Sequence, residues 1–266
     1  MKIVQSGLPI YINQETGKLQ FKDGLTCEGS GGKAAGEMTG LFRDPEHINE
    51  QDYMYTAYRN IIFPEHVNLF AKYDFRYDIT AIEPGTINGE FKKTSGHYHG
   101  YIEGGNYPYA EVYEVIKGEI IFILQKVLNF DKDEEPKLEE VRVVHVKAGQ
   151  AIIVPPFCGH CSINPTDEIS MFSNIAVISC PLDYEKIKKK HGLSVYVLKD
   201  GDSFKVEKNE RYQNVPEPKI VTPVENKELG IEFCVPCYTN FVAFPGKYDF
   251  LLHPDHYADS IYNMTK

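Results

Sequence analysis

The sequence predicts a mainly β protein whose strands form an antiparallel sandwich or barrel. Segments rich in β-branched and aromatic residues follow one another from about residue 53 to residue 180, at intervals of about ten residues. Turn signals such as Pro84-Gly85 and Lys117-Gly118 separate them, and no long helical pattern intervenes. Tyr and Phe supply all of the 12% aromatic content, which also favours sheet.

Eight segments carry the strand pattern most clearly. In chain order they read YMYTAYRNI, RYDITAI, GEFKKTSGHYHG, AEVYEVIKG, EIIFILQKVLNF, LEEVRVVHV, QAIIVPP and ISMFSNIAVIS. A further strand is predicted for SVYVLK at 194–199.

The elements around these strands are predicted to be short. Residues 29–38 (GSGGKAAGEM) predict a flexible loop, because glycine runs are typical of loops. Asp44-Pro45-Glu46 predicts a short helix over 45–51, with a capping Asp and a proline in the first turn. A second short helix is expected over 183–191, ended by Gly192.

Three regions follow from this pattern. Residues 1–50 are predicted to be an N-terminal arm that packs on the barrel, and residues 51–200 to be the barrel itself. Residues 201–266 are predicted to be a C-terminal extension that is not an independent domain. Within the extension, residues 200–245 are charged and rich in proline, which predicts an extended arm, and residues 254–263 predict a terminal helix.

Composition limits the classes of function. With 266 residues the chain is long enough to bury a core without disulfides, and its net charge of −10 makes it a poor partner for nucleic acid or anionic membranes. No apolar run approaches the length of about 18 residues that a membrane helix needs. The start, MKIVQSGLPIYINQ, lacks the apolar stretch of a secretory signal, so a cytoplasmic protein is predicted.

Six cysteines include two Cys-x-x-Cys pairs, Cys158/Cys161 and Cys234/Cys237. Two such pairs are typical of structural zinc sites, but these pairs lie too far apart for a zinc ribbon. Buried or surface thiols are therefore the preferred interpretation, and a four-cysteine zinc site stays open as the alternative.

The candidate chemistry begins with His97 and His99, which a strand would place on one face. Glu111 lies in another predicted strand, where a buried carboxylate needs a cation to balance its charge. His160 follows the strand that ends at Pro155-Pro156 and offers a third imidazole. Three histidines and one carboxylate are a donor set suited to Fe(II), Mn(II), Co(II), Ni(II) or Zn(II).

These stretches resemble the two signature motifs of the cupin superfamily, which implies a jelly-roll barrel (a double-stranded β-helix) with short peripheral helices and a C-terminal extension. The first motif ends as Glu111 and Gly118 do, and Phe91 stands where it would open with glycine. The second motif has the spacing of four residues in this chain: Gly149, Pro155, His160 and Asn164. Phe157 stands where that motif has a further glycine.

The acidic residue departs from the motif spacing. Glu103 lies at the nominal distance after His99, whereas Glu111 lies farther along the chain. Glu103 falls in the glycine-rich segment IEGGNYP and has no glycine seven residues on, as Glu111 has in Gly118. Glu111 is therefore the preferred ligand, and Glu103 the alternative.

A narrower resemblance is to the cupin-type, metal-dependent phosphoglucose isomerases, carried by TSGHYHG, YAEVYEVIKGE and VPPFCGHCSIN over about residues 40–200. It implies a homodimeric glucose-6-phosphate isomerase with one divalent metal per subunit, Fe(II) first. The implied metal ligands are His97, His99, Glu111 and His160. Tyr113 would act beside Glu111 in catalysis. The residues implied to hold the sugar phosphate are Tyr55, Thr80, Thr94, Gly96 and Tyr184.

The phosphate site would need little basic charge, because hydroxyls and a glycine N–H can surround a dianion. Lys92 and Lys93 would either add positive potential there or be solvated strand residues. Leu182 stands where the family often has a histidine two residues before the tyrosine, which puts histidine-assisted ring opening in doubt.

Glu111 is predicted to be the base that moves a proton between C1 and C2 through an enediol(ate). A hydride shift, with Glu111 only a ligand, is the alternative. Three other functions stay open: a mannose-6-phosphate isomerase, a cupin dioxygenase, and a non-enzymatic cupin that binds phosphorylated sugars.

Overall fold

Two main sheets face each other across an apolar interior. The structure is a computed structural model, and it describes residues 1–13, 15–130, 132 and 134–265. The larger sheet has six strands in the order β12-β9-β14-β5-β4-β3, and the smaller has four in the order β13-β10-β11-β18. Nearly all neighbouring strands in them are antiparallel.

The strands are β1 (Ile10–Ile12), β2 (Leu19–Phe21), β3 (Thr26–Ala34), β4 (Tyr53–Ile62), β5 (Phe75–Ile82), β6 (Thr86–Ile87), β7 (Glu90–Phe91), β8 (Tyr98–His99), β9 (Glu111–Lys117), β10 (Glu119–Val127), β11 (Leu138–Lys147), β12 (Ala151–Val154), β13 (Cys158–Ile163), β14 (Ser170–Val177), β15 (Leu182–Asp183), β16 (Val195–Asp200), β17 (Ser203–Lys208) and β18 (Lys219–Val221).

Helices are short and peripheral. The α-helices are α1 (Val67–Lys72), α2 (Glu185–Lys188), α3 (Cys237–Ala243) and α4 (Ala258–Tyr262). Short 3-10 helices cover Val4–Ser6, Ala35–Leu41, Pro64–His66, Lys227–Leu229, Pro245–Leu251 and Pro254–Tyr257. Within the described part of the chain, no helix combines the length and apolar character that crossing a membrane requires.

Alternation along each strand divides the core into layers. In β9, Tyr113 and Val115 point into the barrel, where they pack with Phe122 of β10. Their neighbours Val112 and Ile116 point the other way, into a second cluster that covers the outer face of the larger sheet. The mainly β, cupin-type barrel predicted from the sequence is therefore confirmed.

Both ends of the chain contribute to the outer clusters. Phe241 of α3 and Phe250 bury against the outer face of the larger sheet, together with Ile10 of β1. Met38 and Phe42, just after β3, pack with Val143 of β11 over the outer face of the smaller sheet. These segments convert a barrel with apolar outer faces into a protein whose sheets are covered on both sides.

The glycine-rich segment 29–38 is not the flexible loop that the sequence predicts. Most of it lies in β3, the edge strand of the larger sheet, paired antiparallel with β4. Glycine is needed there for close approach, since a Cβ on Gly32 would overlap the hydroxyl of Tyr53 and the carbonyl oxygen of Tyr55. The chain around residue 32 thus uses glycine as a packing residue in a strand.

The helix predicted over 45–51 is also wrong. The Asp44 carboxylate accepts the Glu46 N–H at 3.0 Å, which forms a turn, and His47 then has a left-handed φ of +56°. A 3-10 helix forms earlier instead, at Ala35–Leu41, where Glu37 accepts the N–H of Ala34 at 3.0 Å.

Later elements agree with the sequence in kind more than in length. The helix expected over 183–191 is only the four residues of α2, and Gly192 follows it with a φ of +118°. The strand predicted at 194–199 is β16. Residues 200–245 are not simply an extended arm, because α3 forms after Pro236 and buries Tyr238 and Phe241.

One carboxyl group lies at the junction between the larger sheet and the C-terminal extension. Glu114 of β9 is buried, and it accepts the Cys237 N–H at 3.0 Å and the Ser173 hydroxyl at 3.3 Å. Burial raises the pKa of Glu114 to about 8, against the opposing effect of these hydrogen bonds. This carboxyl is therefore largely protonated at neutral pH.

Replacing Glu114 with Gln should change how stability depends on pH. Between pH 4.5 and about 8 the unfolded chain has released this proton and the folded chain keeps it, so the free energy of unfolding falls as pH rises. The amide of Glu114→Gln does not titrate, so this slope should be smaller by up to about 1.4 kcal/mol per pH unit. Denaturant titrations at pH 5, 6, 7 and 8 measure the slope.

Glu217→Gln is the control, because the Glu217 side chain is 87% exposed. It should leave the slope as in the wild type. An equal pH dependence in wild type and Glu114→Gln would contradict the assignment of a neutral Glu114 in the folded protein.

Candidate metal centre

Four side chains from separate strands meet inside the barrel. One ligand atom each from His97, His99, Glu111 and His160 lies within 4.8 Å of the other three. The imidazole rings of His97 and His160 are 4.4 Å apart, and those of His99 and His160 are 4.8 Å apart. These are the four residues that the sequence singled out as metal ligands.

Backbone pairing brings them together. His97 and His160 exchange two N–H···O hydrogen bonds of 3.1 Å, so their side chains leave neighbouring strands side by side. Gly96 precedes this pair with a φ of +72°, and a Cβ there would lie 2.8 Å from the His160 carbonyl oxygen. The position therefore requires glycine on both counts.

A second set of contacts orients the ligands. The Nδ1 of His99 lies 3.0 Å from the carbonyl oxygen of Tyr109, which accepts its proton and leaves Nε2 as the lone-pair atom. That Nε2 is 2.9 Å from Oε2 of Glu111. Two lone-pair atoms at this distance require a proton or a cation between them, which fits a metal site.

The carboxylate of Glu111 is also fixed. Asn174 donates to Oε1 at 2.6 Å, and the hydroxyl of Tyr113 donates to Oε2 at 3.0 Å. The same Tyr113 hydroxyl lies 3.0 Å from Nε2 of His160. Tyr113 thus joins the base predicted from the sequence to one of the three imidazoles.

The surroundings favour the protonation states that bind metal. Burial, and next the charge of His99, lower the pKa of His97 to about 3, and burial holds the pKa of His160 well below its ordinary value. Burial works against ionisation of Glu111, but the hydrogen bond from His99 and the nearby imidazoles lower its pKa overall. The cluster therefore offers unprotonated imidazole nitrogens and a carboxylate at neutral pH.

The pocket around this cluster also contains the five residues predicted to hold the sugar phosphate. Its free space is about 820 Å³ including the open mouth, enough for a six-carbon sugar phosphate. The Tyr184 ring packs 5.3 Å from the ring of His97. The predicted residues on its wall are Tyr55, Thr80, Thr94, Gly96 and Tyr184.

Sequence reasoning missed Lys33, which comes from the glycine-rich strand β3. Its Nζ donates to the Ser95 hydroxyl at 3.1 Å, and that hydroxyl lies 3.4 Å from the hydroxyl of Tyr55. The pairing of Lys33 with Tyr55 across β3 and β4 explains its position, and it was missed because the segment was interpreted as a loop.

The two lysines considered for the phosphate lie elsewhere. Lys92 is buried and pairs with Asp52 at 2.6 Å, and Lys93 is buried and pairs with Glu90. Neither lines the pocket, so both interpretations offered for these lysines are wrong. Burial of a strand lysine with an acidic partner is not visible in a local sequence pattern.

Other open alternatives are decided by position. Glu103 lies in an exposed part of the 100–110 loop and takes no part in the cluster, whereas Glu111 does. The cysteines of both Cys-x-x-Cys pairs are free thiols, and they form no metal-binding group with His, Cys, Asp or Glu among the residues that the structure describes. Leu182 lines the pocket where a histidine had been considered.

A barrel whose interior carries three imidazoles and one carboxylate defines a metal-binding cupin. A sequence model of the family "Glucose-6-phosphate isomerase (GPI)" matches residues 32–214. The chain therefore belongs to the glucose-6-phosphate isomerase family, in its cupin form.

Individual relatives agree with this assignment. The glucose-6-phosphate isomerase of Thermococcus onnurineus is 30% identical over 140 residues, which are 53% of this chain and 66% of the relative. The same enzyme from Pyrococcus horikoshii is 30% identical over 141 residues with the same coverage. A bacterial relative, from Sinorhizobium medicae, is 28% identical over 48% of this chain and 53% of its own length. The match thus spans a little under two thirds of the length of the archaeal relatives.

Among solved structures, the polyketide cyclase RemF from Streptomyces resistomycificus superposes on 49% of this chain and 70% of its own with a TM-score of 0.31 and 17% identity. A recombinant oxalate oxidase superposes on 46% of this chain and 49% of its own with a TM-score of 0.29 and 14% identity. Superpositions with such TM-scores carry no functional information.

Removing one histidine of the cluster should abolish tight binding of a divalent ion. His97→Ala should weaken binding of Mn(II) by about 100-fold or more, because a ligand is lost from a site preorganised by its neighbours. Isothermal titration of chelator-treated protein with Mn(II) measures the affinity and the stoichiometry, which should be one ion per chain.

His145→Ala is the matched control, since His145 lies on β11 and pairs with Glu119 at 2.6 Å. It should bind Mn(II) as the wild type does. Equal affinities of wild type and His97→Ala would contradict the assignment of His97 as a ligand.

Proposed function

We propose that the protein is a glucose-6-phosphate isomerase that interconverts glucose 6-phosphate and fructose 6-phosphate. The observation that carries this proposal is the four-residue cluster in a pocket whose wall also carries five residues implied to hold the sugar phosphate. Membership of the glucose-6-phosphate isomerase family supports the same reaction.

His97, His99, Glu111 and His160 would hold one divalent metal, with Fe(II) the first candidate and Mn(II), Ni(II), Co(II) and Zn(II) the others. Such an ion, when bound, supplies Lewis-acid stabilisation of negative charge that develops on the substrate. The metal centre lies in the same pocket as the proposed phosphate contacts, so both ends of a six-carbon substrate can be held at once.

Glu111 is the proposed base that moves the proton between C1 and C2, by way of an enediolate. Its carboxylate is held from two sides, by Asn174 on Oε1 and by Tyr113 on Oε2. Burial, and next the charge of Glu111, raise the pKa of Tyr113 well above its ordinary value. Tyr113 therefore keeps its proton and orients the carboxylate as a hydrogen-bond donor.

The phosphate would be held at the Tyr55 side of the pocket. Hydroxyl donors there are Tyr55, Thr80 and Thr94, and Gly96 exposes backbone. Lys33 adds a positive charge through its contact with Ser95. Tyr184 beside His97 is the proposed contact to the sugar.

The alternatives differ in what they require of this pocket. Mannose 6-phosphate differs from glucose 6-phosphate only at C2, so activity toward it is a second candidate for the same site. A dioxygenase would need a pocket for an aromatic or diketone substrate, whereas this one presents hydroxyls and positive side chains. A sensor that only binds sugar phosphates would not need Glu111 positioned by three partners.

The remaining expectations stay proposals. A homodimer rests on the family resemblance, and a cytoplasmic location is consistent with the lack of a membrane-spanning helix among the described residues.

Fructose 6-phosphate should be converted to glucose 6-phosphate, and a chelator should stop the reaction until Fe(II) or Mn(II) is restored. Glu111→Gln should lower kcat by about 10² to 10⁴-fold, the range for loss of a general base. A coupled assay of glucose 6-phosphate formation measures both effects, and deuterium from heavy water should appear at C2.

Glu103→Gln serves as the control and should retain wild-type turnover. Undiminished turnover after thorough metal removal would contradict a metal-dependent reaction. Turnover without any deuterium incorporation at C2 would favour the hydride shift over proton transfer by Glu111.

Replacing Lys33 with Met should weaken recognition of the phosphate. The expected rise in KM for fructose 6-phosphate is about three- to tenfold, because one charge-assisted contact is lost. Steady-state kinetics give the value, with Lys205→Met as control because Lys205 pairs with Glu207 on the exposed strand β17. Equal KM values for wild type and Lys33→Met would rule out a phosphate contact by Lys33.

A further inference from the structure

Two arginines line the same pocket and have no part in the isomerisation described above. Arg59 comes from β4 and Arg76 from β5, and the pocket wall includes both. Their side chains are 49% and 32% exposed, so each guanidinium reaches solvent at the pocket. An arginine pair on a pocket wall is a preferred arrangement for binding an oxyanion.

One buried carboxylate holds both guanidiniums. Arg59 donates from Nη1 to Oδ2 of Asp78 at 2.7 Å, and Nε of Arg76 lies 3.0 Å from the same oxygen. The Asp78 side chain is fully buried, and its other oxygen accepts the N–H of Asn60 at 2.8 Å. A single negative charge thus faces two positive ones, which leaves one positive charge in excess at this place.

Most donors of the two guanidiniums remain available. Each guanidinium has five N–H donors, and each arginine approaches Asp78 through a single nitrogen. Asp78 therefore acts as an anchor that sets the position of the forks without using up their capacity to bind an oxyanion.

The register of the larger sheet places Arg76 at the metal end of the pocket. Arg76 pairs with Ala176 across β5 and β14, and Val112 of β9 pairs with the preceding Ile175. Glu111 therefore continues the row of Ala176 and Arg76, and the small side chain of Ala176 leaves space between them.

Thr80, a proposed phosphate contact, lies on the same inward face of β5 as Arg76, since the two are four residues apart. Four residues of strand span about 13 Å. Burial raises the pKa of Tyr184, whereas the charges of Arg59 and Arg76 act in the opposite direction, which places both arginines within electrostatic reach of Tyr184. The arginines and the phosphate contacts therefore lie toward opposite ends of one pocket.

We propose that Arg59 and Arg76 form a second oxyanion subsite, which binds phosphorylated sugars that carry another phosphate or carboxylate on C1. This assignment rests on the proposed function, because the 6-phosphate must occupy the other end. Ligands of this class would bind across the metal end without being isomerised, and they would therefore act as inhibitors of the reaction.

A matched pair of ligands tests the subsite. Hexitol 6-phosphate and hexitol 1,6-bisphosphate have no carbonyl group to isomerise and differ only in the second phosphate. Calorimetric titration of the metal-loaded protein gives the ratio of their dissociation constants. The bisphosphate should bind more tightly to the wild type, and Arg76→Gln or Arg59→Gln should reduce this preference by about tenfold, the effect of one lost charge-assisted contact.

Each single variant keeps the other arginine on Asp78, so the buried carboxylate retains a partner and the fold should persist. Arg76→Lys should restore part of the preference, because it keeps the charge and loses the fork. Arg43→Gln is the control, since Arg43 lies on the surface and pairs with Glu207. A six-carbon aldonate 6-phosphate tests carboxylate as the second group, with the same dependence on the arginines expected.

The outcomes separate this proposal from the isomerase proposal. Equal affinity of the wild type for the two hexitols, or a preference that persists in both single variants, would overturn the subsite. Turnover of fructose 6-phosphate is measured on the same wild-type protein. Absence of that turnover, together with a preference that depends on the arginines, would overturn the isomerase and leave the second oxyanion subsite standing.

Discussion

The antiparallel contact between His97 and His160 is the constraint on which the site depends. Two hydrogen bonds of 3.1 Å hold the segment before β8 against β13, and Gly96 allows the approach because no Cβ fits beside the His160 carbonyl. Across the barrel, Glu111 is held at the start of β9 by pairing with Val154 of β12. The cluster is therefore a product of sheet register, and a slip of one residue would turn these side chains to the other face.

The protein concentrates positive charge where it is needed despite a net charge of −10. Lys33 lies beside the hydroxyl contacts at one part of the pocket, and Arg59 and Arg76 share Asp78 at another. Three cationic side chains from β3, β4 and β5 thus face the enclosed space. Such an arrangement attracts an anionic substrate locally without making the surface basic.

The sequence predicted the metal cluster well because its residues sit in short motifs. His97 and His99 share a strand face by simple alternation, and Glu111 and His160 have neighbours at recognisable spacings. The barrel followed from strand segments whose alternation is visible along the chain. Lys33, Asn174 and the arginines could not be found in this way, because their roles depend on which strands lie side by side.

Local errors have the same origin. The glycine-rich segment 29–38 was predicted to be a loop because glycine lowers strand propensity, yet close packing against Tyr53 selects glycine within β3. The sequence around Asp44 has the residues of a helix start, but the Asp44 side chain bonds to Glu46 and forms a turn. In both places tertiary contacts override the local preference.

The most direct test of the central claim is anomalous diffraction at the metal edge from crystals loaded with Mn(II) or Fe(II). The account predicts one ion about 2.0–2.2 Å from nitrogens of His97, His99 and His160 and from an oxygen of Glu111. An ion bound only elsewhere, for example at the surface pair His253 and His256, would contradict it. A loaded crystal in which the four side chains lie together with no anomalous peak among them would do so as well.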